Sequence, residues 1–153
     1  MEGFIQAHAE KGVIVDRSLI LDDIMCFTNR TDEKIKADQK RIEQLITENP
    51  NLTAFIATEY TLGILAKQAI EQLNLSVPDD FSIVCFDSPL FQLDRTSFTH
   101  IKQNEELIGK RAIETVSNLL NGTLKKKQNI LLDATIVEGE TTSLVRKTKV
   151  KSK

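Results

Sequence analysis

Three short apolar runs in this chain end on polar side chains able to grip a ligand. "FSIVCF" (Phe81–Phe86) delivers Asp87 and Ser88 before Pro89 breaks the chain. "LTAFIA" (Leu52–Ala57) is followed by Glu59 and Tyr60, and "FTHI" (Phe98–Ile101) by Lys102 and Gln103. A carboxylate and an amide sharing one rim suit a neutral polyol, because Asp accepts from two adjacent hydroxyls and Gln both donates and accepts. Tyr60 or Phe27 could cover an apolar sugar face. An Asp at a strand end also caps turns and receives backbone N–H groups. Spacing alone leaves both roles open for Asp87 and says less for Gln103.

Other reactive residue types form no constellation. The pairs Asp22-Asp23, Asp79-Asp80 and Glu105-Glu106 sit where turns and helix starts want carboxylates. None has a base or nucleophile at a readable spacing, so no enzyme and no catalytic residue is expected. His8 and His100 lack ligand-spaced partners, and no zinc pattern, P-loop or GxGxxG is present, so neither metal nor cofactor is expected. Cys26 and Cys85 are far apart and read as buried thiols in a reducing cytoplasm.

The elements that must position these residues follow from periodicity. A helix is expected over Glu2–Lys11, with Gly12 as its stop, then a strand or strand edge at Leu19–Leu21, with Ile24–Phe27 as its possible continuation. Thr31 caps a long amphipathic helix carrying Ile35, Ile42, Leu45 and Ile46, which Pro50 ends. Strand Leu52–Ala57, helix Glu59–Leu73 with Asn74 at its left-handed exit, and strand Phe81–Phe86 come next. A polar loop, Asp87–Ser97, leads to strand Phe98–Ile101. A helix capped by Asn104 then runs to Asn121-Gly122, and the last strand is Asn129–Val137. Short apolar strands separated by helices predict an α/β fold: three layers, α/β/α, with a mostly parallel sheet. In such sheets ligands bind at the carboxyl ends of the strands, where all three polar groups fall.

Composition narrows the partners. The 153 residues carry a net charge of −2, which argues against this piece itself holding nucleic acid. The tail Arg146–Lys153 has five cations in eight residues and reads as a solvated end. No apolar run approaches the ~20 residues of a membrane span, and no signal peptide is visible, so a cytoplasmic protein without membrane contact is expected.

At these residues the chain resembles the effector-binding core of the lactose/galactose repressor (LacI/GalR) family, a type I periplasmic-binding-protein fold. That core also occurs behind a GntR-type winged-helix DNA reader. "EGFIQAHAEKGVIVD" (Glu2–Asp16) resembles the family's Gly-Phe helix and its exit. "LTAFIATEYTLGILAKQAIEQLNLSVPDDFSIVCFDS" (Leu52–Ser88) resembles the block ending in "VPEDISVVGFDD". "FTHIKQNEELIGKRAIETVSNLLNG" (Phe98–Gly122) and "ATIVEGETT" (Ala134–Thr142) resemble the two that follow. The resemblance implies a small-molecule sensor, for a sugar or related metabolite, that shifts lobe arrangement and operator affinity. Asp87 and Gln103 take effector-contacting positions, Glu59 the place of a frequent ligand Asn, and Tyr60 that of the Asp after it. Glu59 replaces a donor–acceptor with an acceptor only, Ser88 stands for a second Asp, Cys85 for a Gly, and Glu138 where Arg is frequent.

The resemblance also implies an organisation. Residues 1–142 would be a partial effector-binding and dimerisation domain, namely the C-terminal lobe plus a 104–121 helix that packs on the other lobe, and 143–153 a basic tail. An effector-gripping Arg, the other lobe and the DNA-binding domain would lie before Met1, so operator DNA would be met only through a domain outside this chain. A homodimer is implied, with Gly63–Leu73 and Ser88–Asp94 as contact surfaces and Leu65, Ala69, Leu90, Phe91 and Leu93 as candidates. The alternative is a sugar-binding protein of a transport or chemotaxis system with the same fold.

Overall fold

The computed structural model describes residues 1–24, 31–87, 96–124, 126 and 128–144. Its helices are α1 (Glu2–Glu10), α2 (Asp32–Glu48), α3 (Tyr60–Gln72) and α4 (Glu105–Leu120). Its strands are β1 (Ala54–Ala57), β2 (Ser82–Phe86), β3 (Thr99–Lys102) and β4 (Thr135–Val137). They form one open sheet in the order β1-β2-β3-β4. The first two pairs are parallel and the last is antiparallel. The expected open, mostly parallel α/β architecture is therefore present.

Local chemistry explains most boundaries. The Thr31 hydroxyl accepts from the Lys34 N–H at 3.4 Å, and Asp32 and Glu33 sit in the positive first turn of α2. Asn49 closes that helix by donating its side-chain amide to the Leu45 carbonyl at 2.8 Å. Asn74 leaves α3 at φ 58°, the left-handed exit expected of it. Leu19–Leu21 is not a strand: Arg17–Leu19 form a 3-10 turn, because the Asp16 carboxylate accepts from both the N–H and the hydroxyl of Ser18. Of Asn129–Val137 only Thr135–Val137 pairs, antiparallel to β3.

The core lies between α3 and the sheet, with α2 packed behind α3. Ile70 and Ile83 are wholly buried, each contributing about 1.5–3 kcal/mol by leaving water. Gly63 lets α3 approach closely, since a Cβ there would stand 3.2 Å from the Phe98 ring. Leu65 and Ala69, expected at a subunit contact, are 4% and 0% exposed and belong to this core. The period that marks an apolar helix face is the same for a core and for an interface, and here the lobe takes that face for itself. Leu90, Phe91 and Leu93 lie outside the described residues.

The segment after β4 is stitched between β2 and β3. Thr141 is fully buried; its hydroxyl donates to the Ile83 carbonyl at 2.7 Å and accepts from the Thr99 N–H at 2.9 Å. Its own carbonyl accepts from the Ile83 N–H at 2.7 Å. Gly139 is pressed against β3. A Cβ there would collide with the Ser97 carbonyl and stand 2.5 Å from the Phe98 carbonyl carbon. Backbone cannot yield to such a contact, so Gly139→Ala should cost about 1–3 kcal/mol. A methyl at Gly109, on α4, meets nothing within 4 Å. Gly109→Ala should instead gain about 0.5–1 kcal/mol of helix stability. Urea titration of both variants, followed by circular dichroism, checks the contrast.

Candidate functional site

The register of the sheet brings the three polar strand ends together. Ala57 lies opposite Cys85, and Cys85 opposite His100. Glu59 and Asp87 each stand two residues beyond that row and Gln103 three. All three therefore occupy the carboxyl rim of neighbouring strands, which run roughly 4.8 Å apart.

Asp87 is the first residue beyond β2, at φ 70°, a left-handed conformation that Asp tolerates better than most residues. Its backbone N–H donates to the Ile101 carbonyl at 3.1 Å, extending the β2–β3 ladder to the rim. Its carboxylate accepts the Gln103 side-chain amide at 2.6 Å. A charged acceptor makes this stronger than a neutral hydrogen bond. The pair offers a ligand the second carboxylate oxygen, the amide oxygen and the remaining amide N–H.

Glu59 is the N-cap residue of α3, half-buried, and its side chain makes no capping hydrogen bond. Tyr60 is 7% exposed, its ring edge-on to Phe98 with centroids 5.4 Å apart. Its ring thus belongs to the core and not to an open sugar-stacking face. Phe27 and Ser88 lie outside the described residues. Among those described, no three His, Cys, Asp or Glu side chains converge as a metal site. Nor is any described helix long and apolar enough to cross a membrane.

Sequence reasoning missed the part played by Thr141, although "GETT" places two hydroxyls near a close-approach glycine. It did place Cys85 inside β2, where burial and the nearby Asp87 charge push the thiol up to about 11. A groove of about 490 Å³ lies at the opposite, amino end of the sheet, between Leu52, Leu73, Phe81 and Leu144.

Comparison with known proteins matches this geometry to one family. Residues 1–142 match the periplasmic binding protein-like domain. The HTH-type transcriptional regulator DegA of Bacillus subtilis is 29% identical over 144 residues, 94% of this chain and 40% of that protein. The arabinose metabolism transcriptional repressor of Geobacillus stearothermophilus is 30% identical over 125 residues, 78% of this chain and 32% of that protein. The crystal structure of a LacI-type transcription regulator from Bifidobacterium animalis subsp. lactis superposes with a TM-score of 0.74 at 20% identity, over 93% of this chain and 49% of that one. The chain thus spans less than half the length of each of these proteins.

The Cys85 thiol tests the packing beneath the rim. Its folded pKa of about 11 exceeds its ordinary value of 9.0, so the unfolded chain loses the proton first as pH rises. The stability it contributes is complete below pH 9 and lost as pH climbs towards 11. In a Cys26→Ser background, stability should fall over that window by on the order of 2 kcal/mol more than with Cys85→Ala added. Denaturant titrations at several pH values measure the difference.

Proposed function

The chain belongs to the periplasmic binding protein-like domain family, and on that premise we propose that it is the effector-sensing and subunit-contact part of a bacterial transcriptional regulator. The effector is a small polyhydroxylated metabolite, a sugar or close relative, held by Asp87 and Gln103 with Glu59 beside them. The observation that carries this reading is the short Asp87–Gln103 contact at the carboxyl rim. It presents a charged acceptor and a mixed donor–acceptor group side by side, as adjacent hydroxyls require. Domain membership and the regulator names of the relatives give that rim its context.

The whole regulator reads operator DNA through a separate domain, of helix-turn-helix or GntR winged-helix type. It works in the cytoplasm as a homodimer without catalysing a reaction. The apolar loop residues Leu90, Phe91 and Leu93 are the candidate contacts between subunits. Effector binding shifts operator affinity to the extent that the two lobe arrangements bind the effector differently. The same fold would also serve sugar capture for transport or chemotaxis, a reading the regulator names do not favour.

Calorimetry on the complete regulator, against a panel of pentoses, hexoses and nucleosides, tests the assignment. A hydrogen bond to a charged group contributes about 1.5–3 kcal/mol, so Asp87→Ala should weaken the bound compound by about ten- to a hundredfold. Gln103→Ala should weaken it less. Unchanged affinity in Asp87→Ala would remove Asp87 from the site and the assignment with it.

A further inference from the structure

We propose that the groove at the amino end of the sheet is a docking site for the chain's own basic tail, Val145–Lys153, which straps onto the lobe from which it leaves. The proposal stands apart from the effector-sensing reading, because this groove lies at the end of the strands opposite Asp87 and Gln103. The groove measures about 490 Å³. Its apolar lining includes Ile46, Leu52, Leu73, Leu75 and Phe81, drawn from the ends of α2 and α3 and the approaches to β1 and β2.

The groove is electrically one-sided. Asp79 and Asp80 line it and are exposed. Glu48 stands between two lining residues, Thr47 and Asn49. Both α2 and α3 end here, with their C-caps Asn49 and Leu73 in the lining, and neither has a basic residue in its last turn. Each helix end adds roughly half a negative charge. No Lys or Arg is among the described lining residues. The tail has the complementary composition: Arg146, Lys147, Lys149, Lys151 and Lys153, with Val145 and Val150 among them and neither Asp nor Glu. A cationic segment carrying apolar side chains suits an apolar groove with anionic walls.

The root of the tail is already fixed at the groove. The Ser143 N–H donates to the Ser82 hydroxyl at 3.1 Å, and the Ser143 hydroxyl donates to the Pro78 carbonyl at 2.8 Å. Pro78, Ser82, Ser143 and Leu144 all line the groove. Leu144 is 94% exposed there, an apolar side chain that the described residues leave uncovered. At ~3.3 Å per residue, the segment beyond it can extend roughly 30 Å along a groove it already borders. Docking is intramolecular, so the tail works at an effective concentration in the range of about millimolar. Each exposed ion pair favours the docked state by a factor of about two, and a few of them therefore hold a tethered segment that would bind weakly from outside.

Zero-length carbodiimide coupling on the intact chain, read by peptide mass mapping, tests the strap. An equal mixture of unlabelled and heavy-isotope-labelled chains separates bonds within a chain from bonds between chains. Lys147, Lys149 and Lys151 should couple to Asp79, Asp80 and Glu48 within single chains, about fivefold above their coupling to Glu10, Glu105 and Glu114. Raising salt from about 0.01 M to about 1 M shortens the Debye length from about 30 Å to about 3 Å and should remove most of that excess. Arg146→Glu, a change in the tail that leaves the described lobe intact, should lower it severalfold at low salt. Coupling spread evenly over the carboxylates would mean a solvated tail, and products of mixed mass would mean that a second copy fills the groove. Either result, or an excess indifferent to both salt and Arg146→Glu, would overturn the strap.

Discussion

The arrangement depends on one buried hydroxyl. β2 and β3 pair only from Val84 and Thr99 onward. Before that point their polar backbone groups need other partners, since an unsatisfied buried group costs about 1–3 kcal/mol. Thr141 supplies them. It bonds Ile83 through both its hydroxyl and its carbonyl and takes the Thr99 N–H on the hydroxyl. Thr99 in turn accepts the Gly139 N–H at 3.0 Å and shares a hydroxyl contact of 2.9 Å with Thr142. This wedge holds the amino ends of two parallel strands apart, while the Asp87–Ile101 bond draws their carboxyl ends together. The spacing of Asp87 and Gln103 is set between those two constraints.

Much of this fold is legible in the sequence because its signals are local. Caps at Thr31 and Asn104, the exit at Asn74 and the apolar period of α3 each report on their own few residues. The errors arise where a distant partner decides. Leu19–Leu21 has strand composition, but Asp16 folds the preceding turn onto itself and no neighbouring strand pairs with it among the described residues. The final strand is short because β3 itself has only four residues to pair. Leu65 and Ala69 show the limit of periodicity: it says which face is covered and not by what.

The site is legible to a similar depth. That Glu59, Asp87 and Gln103 share a rim follows from strand ends and parallel order, both readable from pattern. That Tyr60 turns its ring to the core does not, because the decisive neighbour, Phe98, is 38 residues away and meets it only through α3 packing on the sheet. The exposed apolar surface is distributed in the same spirit. The buried side chains gather where α3 meets the sheet, whereas Ile56 on β1 is 55% exposed, and Ile113 and Leu120 on α4 are 69% and 82% exposed. The lobe is thus well packed behind the rim and open beyond it.

Sequence alone left Asp87 with two roles, a cap for its own turn or a contact for a ligand. The described residues show one bond of its backbone and one of its carboxylate. The turn is served by the backbone: φ 70° redirects the chain, and the N–H is spent on Ile101. The carboxylate is spent on Gln103, a side chain from another strand. That amide is exposed, and it can be exchanged for a hydroxyl at small net cost, because one hydrogen bond is traded for another. The residue that ends the apolar strand is therefore tied to β3 by its backbone, while its side chain is held by a bond that can be traded.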